Sequence, residues 1–435
     1  MPQNHKDNIF SMLEQGGPFA TGLLPPLSAP FSRETKTWVR TLQAADMLTK
    51  YRIVRNQIYE LLDVHSFQEI KELIPDQKKR REVESRAYRM LGNMFGLEGN
   101  EREIVSKVNS YSRIADAVVR YLKGKVLSNY SSYIEMTNEI DVINSPAQLL
   151  LIIFDRRYHK KARFEAKRKL ILLTLAGSID QRERETDVEQ KFAQFLEFLN
   201  DHVWSKDLLI GQLEIAFLLS EHDKDDFSCT SVKVIGQEDR RNIKLKSGQK
   251  LTMIKRRRFR MNGLEVPIYV SIRKKPPEAK VLKLLRKGEE NPAVAVDDEL
   301  GLMGVVESVM DVKNFQKHLT RSASRAGSLM TLEEVSNTLT GSRYNSSSIG
   351  SSSSTPMFKF FARLGGMRVE FIVHTHESYL NYMYQRDVSH DEYEVRRIFD
   401  SGVAELLFPE SIYHLKMDEI KDHLIRWFRQ RIEEF

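Results

Sequence analysis

The sequence predicts an α+β protein, in which an all-helical N-terminal domain is followed by a mixed sheet flanked by helices. Between residues 33 and 222, apolar side chains recur at spacings of three and four, and proline is almost absent. This is the period of amphipathic helices. After Phe227 the pattern changes to short runs in which apolar and polar residues alternate, as they do in strands.

The same patterns predict three parts of the chain. Closely spaced glycines and prolines in residues 1–32 interrupt any regular element and predict a flexible arm. Residues 33–222 form the predicted all-α domain, whose last helix we expect at Leu208–Leu219. Residues 227–435 form the sheet domain. Its serine-rich stretch, 341–355, predicts a flexible loop or, alternatively, a loop that covers phosphate.

Local patterns also predict the elements of the sheet domain. A hairpin is expected at Asn262-Gly263, because these residues adopt the positive φ angles that a two-residue turn requires. The strands are predicted at Ser231–Ile235, Leu251–Met261, Leu264–Ile272 and Gly301–Val309, with a strand pair around Gly365-Gly366. The helices are predicted at Glu278–Lys287, Asp311–Arg325, Glu377–Gln385, His390–Phe399 and Met417–Glu434.

Composition excludes several classes of protein. No apolar run approaches the roughly 18 to 20 residues that a membrane-spanning helix needs, so we expect no membrane partner. Cys229 is the only cysteine among 435 residues, which excludes a disulfide framework and the common zinc motifs. The N-terminus lacks the pattern of a secretory signal. A cytoplasmic protein is therefore expected.

Positive charge is concentrated in residues 240–287, which contain 17 lysines and arginines but only two acidic residues, Glu265 and Glu278. The formal net charge of the whole chain is +7. A basic block of this kind favours an anionic partner, either the phosphates of a nucleotide or an RNA backbone. A solvated basic surface is the alternative interpretation.

Two acidic residues of the sheet domain are candidates for chemistry. Asp298 directly precedes an apolar strand. Glu370 lies in a strand whose alternation places Val369 and Phe371 on one face and Glu370 on the other. If the two strands are neighbours, the carboxylates can share a divalent ion, and Mg²⁺ held in this way is common in phosphoryl transfer.

Basic residues precede this acidic pair in the sequence. Arg273 and Lys275 lie where the hairpin ends, and the following helix carries Lys280, Lys283 and Lys287 at spacings of three and four. Residues so spaced share one helix face. This helix face is expected to hold a polyphosphate or, alternatively, to be a solvated basic surface.

The order of these segments resembles the RelA/SpoT-like nucleotidyltransferases, which synthesise guanosine tetraphosphate alarmones. The family motif Arg-x-Lys-x-Pro-x-Ser, with a lysine four residues later, is matched by Arg273, Lys275, Pro277 and Lys283. Ala279 replaces the serine. The resemblance extends over about a third of the chain.

The remaining motifs follow in the family's order. Asp298 and Gly301 match Asp-Leu-x-Gly-x-Arg, with Met303 in place of the arginine. The segment Glu370–Thr375 is similar to Glu-Val-Gln-Ile-Arg-Thr, with His374 at the arginine position. The other matches are Arg286 at the basic helix end, and His390 and Tyr393 in a helical His-x-x-Tyr motif.

The resemblance implies a Mg²⁺-dependent nucleotidyl or pyrophosphoryl transferase. ATP would be the donor, and the 3′-hydroxyl of a nucleotide or RNA the acceptor. Asp298 would bind Mg²⁺, and Glu370 would complete the metal site or accept the hydroxyl proton. Arg273, Lys275 and Lys283 would hold the ATP phosphates. Further nucleotide-binding residues implied by the motifs are Arg286, Tyr344, His374, His390 and Tyr393.

Departures from the family pattern keep other functions open. Around Tyr344, the counterpart of the acceptor-stacking tyrosine, only the tyrosine and one serine of the family motif are present. Guanosine specificity is therefore not implied. The alternative function is a catalytically inactive regulatory protein that binds a nucleotide or nucleic acid on the same fold. The helical domain is a candidate for partner docking or homo-oligomerisation.

Overall fold

The computed structural model describes residues 48–205, 213–288, 291–296, 300–340, 355–364 and 366–434, with a few isolated positions between 37 and 46. The predicted arm, 1–32, and most of the predicted serine-rich loop, 341–354, lie outside these ranges. Within them the protein is α+β, as predicted: a helical N-terminal region precedes an eight-stranded mixed sheet.

The chain divides into two compact units, which we call the helical unit and the sheet unit. The helical unit comprises Met1–Glu185, Pro276–Ala295 and Ile398–Ile420. The sheet unit comprises Thr186–Lys275, Val296–Arg397 and Lys421–Phe435. Two stretches of the C-terminal half therefore group with the N-terminal helices. The division into three parts that the sequence predicts stays a prediction.

Helices account for the described chain up to the first strand. They are α1 (Leu48–Leu62), α2 (Phe67–Leu73), α3 (Gln77–Met94), α4 (Glu101–Tyr121), α5 (Asn138–Asp141), α6 (Pro146–Phe154), α7 (Lys160–Glu185) and α8 (Val188–Phe198). Helices α4 and α8 continue into π-helical turns at Leu122–Val126 and Leu199–Val203.

The core of the helical unit is built around α6. Every residue of this helix except Gln148 is buried, and its apolar side chains pack with those of α2 and α3. A helix that is apolar on all sides is stable only inside a core. Helix α3 is capped by Asp76, whose carboxylate accepts hydrogen bonds from the backbone amides of Lys78 and Lys79, both at 3.0 Å. This N-cap satisfies donors that the first helical turn leaves open.

The sheet unit contains all eight strands, in the spatial order β2-β1-β3-β4-β5-β8-β7-β6. They are β1 (Glu214–His222), β2 (Cys229–Gly236), β3 (Gln249–Met261), β4 (Leu264–Lys274), β5 (Leu300–Val306), β6 (Met330–Asn337), β7 (Phe358–Leu364) and β8 (Met367–Thr375). Strands β5 and β8 are parallel, and the other neighbouring pairs are antiparallel.

Eight further helices lie among and after the strands in the described ranges, and five of them lie within a few residues of the predicted positions. They are α9 (Pro277–Lys287), α10 (Ala293–Val296), α11 (Val309–Arg325), α12 (His376–Tyr384), α13 (His390–Asp400), α14 (Val403–Leu407), α15 (Glu410–Tyr413) and α16 (Met417–Glu434). None of the helices in the described ranges combines the length and the apolar character that a bilayer-spanning segment requires.

Turn chemistry explains the hairpin between β3 and β4. Asn262 and Gly263 have φ angles of 51° and 81°. Positive φ at both central residues is typical of the tight turn whose twist matches that of two antiparallel strands. The predicted hairpin is confirmed, and it sets the register of Met261 opposite Leu264.

The helix predicted at Leu208–Leu219 is wrong where the structure describes it. Strand β1 begins at Glu214, so the sheet starts before the boundary predicted at residue 222. The run Ala216–Leu219 is hydrogen-bonded between β2 and β3. Short apolar runs of this kind fit a buried strand as well as a buried helix, so periodicity alone does not distinguish them.

The two faces of the sheet have different roles. Val369, Phe371 and Val373 of β8 point into an apolar core that includes Phe195 of α8 and Phe315 of α11. The alternation predicted for this strand is therefore confirmed. The opposite face carries the polar residues of β8 and is partly covered by α12, whose residues pack on β1, β3 and β5 in a second apolar cluster.

Candidate functional site

Three strands bring the sequence-predicted motifs side by side on this polar face. In the β4-β5-β8 register, Arg273 lies opposite Gly301, and Gly301 lies opposite Glu370. Side chains of directly opposed residues project from the same face of a sheet. A Cβ atom at position 301 would lie 3.1 Å from Nε of Arg273. Glycine therefore leaves room for the guanidinium to pass over β5 toward Glu370.

Glu370 is the centre of a charged group that we call the Glu370 cluster, formed by Glu370, Arg273 and Lys359. Nη2 of Arg273 donates to Oε2 of Glu370 at 2.9 Å. Nζ of Lys359, on the neighbouring strand β7, lies 2.9 Å from Oε1. The side chains of Glu370 and Lys359 are 7% and 8% exposed, whereas that of Arg273 is 47% exposed. The cluster thus holds two cations on one carboxylate, and one of them reaches solvent.

The cations determine the ionisation of Glu370. Burial alone would raise the pKa of this carboxyl, but Lys359, Arg273 and Lys275 outweigh burial and lower it below its ordinary value. Glu370 is therefore ionised at neutral pH, and a carboxylate with a lowered pKa is a weak base. Its contacts support a further role beside the two implied by the family resemblance, namely holding Arg273 and Lys359 in place.

A column of rings borders the same face. The ring centroids of His374 and Tyr382 are 5.4 Å apart, and those of Tyr382 and His390 are 5.1 Å apart in a stacked arrangement. Burial lowers the pKa of His374 to about 4 and also lowers that of His390. Burial raises the pKa of Tyr382 to about 12. At neutral pH these rings are uncharged.

The ring column is close enough to the Glu370 cluster to feel its charges. The Arg273 cation opposes the increase in the pKa of Tyr382 and contributes to the decrease at His390. His374 is held by a 3.2 Å contact between Nδ1 and the hydroxyl oxygen of Ser378. The structure therefore brings together four sequence-predicted residues: Arg273, Glu370, His374 and His390.

Tyr393 follows one helical turn after His390 on α13. The guanidinium of Arg397 lies 4.8 Å from the centroid of its ring. This is the geometry of a cation–π contact. The contact assigns the half-buried tyrosine a local packing role, and its predicted contact with a nucleotide stays a prediction.

Two predicted site residues, Asp298 and Tyr344, lie outside the described residues. The condition for pairing Asp298 with Glu370 is nevertheless met, because β5 and β8 are adjacent and parallel, with Leu300 opposite Val369. Whether the two carboxylates meet stays a prediction.

The described residues of the cluster do not form a magnesium site by themselves. Both carboxylate oxygens of Glu370 already contact a cation. Within the part of the chain that the structure describes, no group of three or more His, Cys, Asp or Glu side chains is arranged to hold a metal ion. A magnesium ion at this site would require further oxygen ligands, which the phosphates of a bound nucleotide can supply.

The cationic helix face predicted on α9 is wrong at Lys280. This side chain is 2% exposed, and its ammonium group pairs with Glu183 inside the helical unit. Lys283 donates to the backbone carbonyl of Val294. Lys283 and Arg286 are partly buried residues of the helical unit, and their predicted contact with ATP phosphates stays a prediction.

Several cations of the basic block also have acidic partners. Glu214 binds both Arg256, at 2.6 Å, and Arg258, at 3.2 Å. Arg260 pairs with Glu265 at 2.7 Å. These ion pairs reduce the charge available to an RNA backbone at these positions. Binding of RNA through residues 240–287 stays a prediction.

Sequence reasoning missed Lys359 and Tyr382. Lys359 is the single charged residue in the run Phe358–Ala362, which otherwise consists of apolar residues. A cation in such a strand needs a buried partner. The run could therefore have identified Lys359 as a candidate site residue. Tyr382 carries no comparable signal, because an aromatic residue on an amphipathic helix is usually part of a core.

Comparison of the chain with protein-family models, with curated proteins and with solved structures gave no significant match. The resemblance to RelA/SpoT-like nucleotidyltransferases therefore rests on the motif residues alone.

Proposed function

We propose that the sheet unit binds the polyphosphate of a nucleotide at the Glu370 cluster. We further propose that it transfers a nucleotidyl or pyrophosphoryl group from ATP to the 3′-hydroxyl of a nucleotide or RNA. The observation that carries this proposal is the convergence of Arg273, Lys359 and Glu370 from three separate stretches of sequence. Two of these residues belong to motifs that resemble one nucleotidyltransferase family.

The charges of the cluster suit a phosphate ligand. One carboxylate offsets only one of the two cations that contact it, and Lys275 also lies close enough to lower the pKa of Glu370. Glu370 accepts a hydrogen bond from Nη2 of Arg273, and this bond fixes the orientation of the guanidinium group. The side chain is half exposed, so its other N–H groups are available to a ligand. A planar fork that is already oriented binds phosphate oxygens with less loss of side-chain freedom.

The surroundings suit the rest of a nucleotide. Met303 and Ile372 are opposed in the β5-β8 register between Glu370 and His374, and both are partly buried. The stacked rings of Tyr382 and His390 lie beside them on the same face. Aromatic rings of this kind stack on nucleobases. The phosphates would then lie at the cations and the base at the rings.

The proposed transfer reaction requires the protein mainly to position the phosphates and to stabilise their negative charge. Phosphoryl transfer depends chiefly on in-line positioning and on stabilisation of developing negative charge. Magnesium would arrive with ATP, as the counter-ion of its phosphates. The described residues would position the phosphates through Arg273 and Lys359, with Glu370 as the residue that orients both cations.

A labelled-ATP assay tests the proposal. The full chain is incubated with Mg²⁺, with ATP labelled in each phosphate in turn, and with nucleoside di- and triphosphates or RNA as acceptors. We expect transferred label that is lost in Arg273→Gln and retained in the matched control Arg260→Gln, whose arginine pairs with Glu265 on the same sheet. Absence of transfer to every acceptor would contradict the enzymatic part of the proposal.

A second candidate function, binding without catalysis, is favoured by one observation. Both oxygens of Glu370 are engaged by cations, and the pKa of this carboxyl is low. These contacts compete with the roles of metal ligand and base. If ATP binds with strong salt dependence and no label is transferred, the sheet unit is a nucleotide-binding module.

A further inference from the structure

A cleft lies within the helical unit, between the first turns of α3 and the buried helix α6. Its volume is about 310 Å³. Its floor includes the apolar residues Ile143, Leu151 and Ile152, and its rim includes Arg80, Arg81 and Arg157. Pockets that bind small molecules have volumes from about 300 Å³ upward and combine an apolar lining with a few polar groups. The cleft has this volume, and its lining is more polar than apolar, with three arginines among its polar residues.

The arginines of the rim differ in their partners. Arg157 makes a two-pronged ion pair with Asp155, through contacts of 3.0 and 2.7 Å, and is thereby neutralised. The Nε atom of Arg80 is buried and has no hydrogen-bond acceptor among the described residues, while the charge of Arg80 helps to lower the pKa of the nearby Asp155 carboxyl. Arg81 is exposed and, within the described ranges, makes no ion pair. Glu84, the other carboxylate of the lining, accepts weak 3.4 Å hydrogen bonds from Gln148.

The sequence at the start of α3 adds an independent observation. Four consecutive cations, Lys78 to Arg81, occupy the beginning of this helix, and its first turn contains no acidic residue. Cations near a helix N-terminus are unfavourable, because the helix dipole places partial positive charge there. Residues that are unfavourable for the local structure in this way are expected at functional positions. The carboxylate of Asp76 caps this end of the helix, and a further anion beside Arg80 and Arg81 would reduce the repulsion that remains.

We propose that this cleft binds a small organophosphate. Its phosphate group lies against Arg80 and Arg81 at the start of α3, and its apolar body lies on the floor formed by α6. A phosphate monoester carries up to two negative charges, which match the two arginines. The apolar residues of the floor favour a small molecule with an apolar body over a polymer backbone. The proposal does not rest on the function proposed for the sheet unit.

Calorimetric titration of the full chain tests the proposal. The probes are inorganic phosphate, a hexose phosphate, a nucleoside monophosphate and a short single-stranded RNA. The background is Arg273→Gln, so that binding at the sheet unit is weakened and the two sites are distinguished. We expect one of the two organophosphates to bind more tightly than inorganic phosphate. Arg80→Gln is expected to weaken it about ten- to a hundredfold, because a charged hydrogen bond is lost.

Two further measurements locate the binding. Arg81→Gln is a second variant at an exposed position, and Arg89→Gln is the matched control, since Arg89 is an exposed residue of α3 outside the cleft. We expect weaker binding in the first and unchanged binding in the second. Bound organophosphate should also protect Arg80 and Arg81, but not Arg89, from phenylglyoxal, as read by peptide mass spectrometry.

The results that would overturn the proposal are distinct. Binding that is unchanged in Arg80→Gln and Arg81→Gln would place the ligand elsewhere. Failure of both organophosphates to bind, or to bind more tightly than inorganic phosphate, would remove the apolar part of the argument. RNA that binds and protects these arginines in preference to the small probes would make the cleft part of a nucleic-acid surface.

Discussion

Nη2 of Arg273 lies 2.9 Å from Oε2 of Glu370, although a whole strand separates the two residues in the sheet. The contact is possible because position 301 of the intervening strand is a glycine, over which the arginine side chain passes. Residues 97 positions apart in sequence thereby share one charged cluster.

Gly301→Val should therefore break the cluster. Even a Cβ atom here would lie 3.1 Å from Nε of Arg273, and the branched side chain would displace the guanidinium from Glu370. We expect ATP binding to weaken about tenfold or more. Gly304→Ala is the control, because its Cβ would crowd Ile268 on the apolar face instead. Equal loss of ATP binding in the control would indicate a general packing effect and contradict the prediction.

Lys359 and Glu370 should show energetic coupling. Removing Glu370 leaves Lys359 buried without its carboxylate, so we expect Glu370→Met to lower the free energy of unfolding by about 3 kcal/mol. Removing Lys359 leaves Glu370 with Arg273 alone, so Lys359→Met should have a smaller effect in the same direction. The double variant Lys359→Met with Glu370→Met should lose less than the sum of the single changes, because no buried charge is left unpaired. Urea denaturation measures all three. Additive losses would show that the two side chains do not interact.

Stability should decrease as pH falls from 7 to 4. The pKa of His374 is lowered by burial to about 4, so between about 6.5 and 4 the unfolded chain binds a proton that the folded chain does not. The free energy of unfolding therefore decreases as the pH drops through this window, by up to about 1.4 kcal/mol per pH unit for this histidine. Glu370 adds a loss at lower pH, as the pH falls through its depressed pKa.

His374→Gln tests this assignment. We expect the slope of unfolding free energy against pH to become shallower between pH 6.5 and 4, whatever the change in stability at pH 7. Denaturant titrations at closely spaced pH values measure the slope. An unchanged slope would mean that His374 does not titrate differently in the two states.

Local sequence patterns predict elements whose cause is local. The β3-β4 hairpin follows from the positive φ of Asn262 and Gly263, and α9 ends where Gly288 adopts a left-handed conformation. Glu370 could be singled out because it is a lone carboxylate in an alternating strand. In each case the decisive residues lie within a few positions of one another.

Contacts between distant residues account for the errors. Segment β1 is a strand because it forms hydrogen bonds with β2 and β3, and the sequence of β1 alone does not reveal these bonds. The pattern predicts Lys280 on a cationic helix face that holds a polyphosphate or is solvated, but its partner Glu183 lies 97 positions away. The same holds for Lys359, whose role depends on Glu370 in the neighbouring strand.

A buried ion pair should hold the end of α16 within the sheet unit. Burial alone would raise the pKa of Glu392, but hydrogen bonds from Arg429 and Arg396 hold it at about 2. Nη2 of Arg429 contacts Oε1 of this carboxylate at 2.7 Å. Glu392→Gln should therefore accelerate amide hydrogen exchange in residues 421–434 by about a hundredfold, since a buried pair is broken.

Glu419→Gln is the control for this prediction. Its pair with Lys416 is exposed, with side chains 73% and 64% accessible, and exposed pairs contribute little to stability. Exchange in residues 421–434 should stay unchanged in this variant. Equal acceleration in both variants would show that any loss of charge loosens the helix.

The affinity for Mg²⁺-ATP in wild type, Arg273→Gln and Arg260→Gln tests the central claim most directly. If the Glu370 cluster holds the phosphates, calorimetry should show binding that is about ten- to a hundredfold weaker in Arg273→Gln and unchanged in Arg260→Gln. Equal affinities in all three proteins would place the phosphates elsewhere and contradict the account.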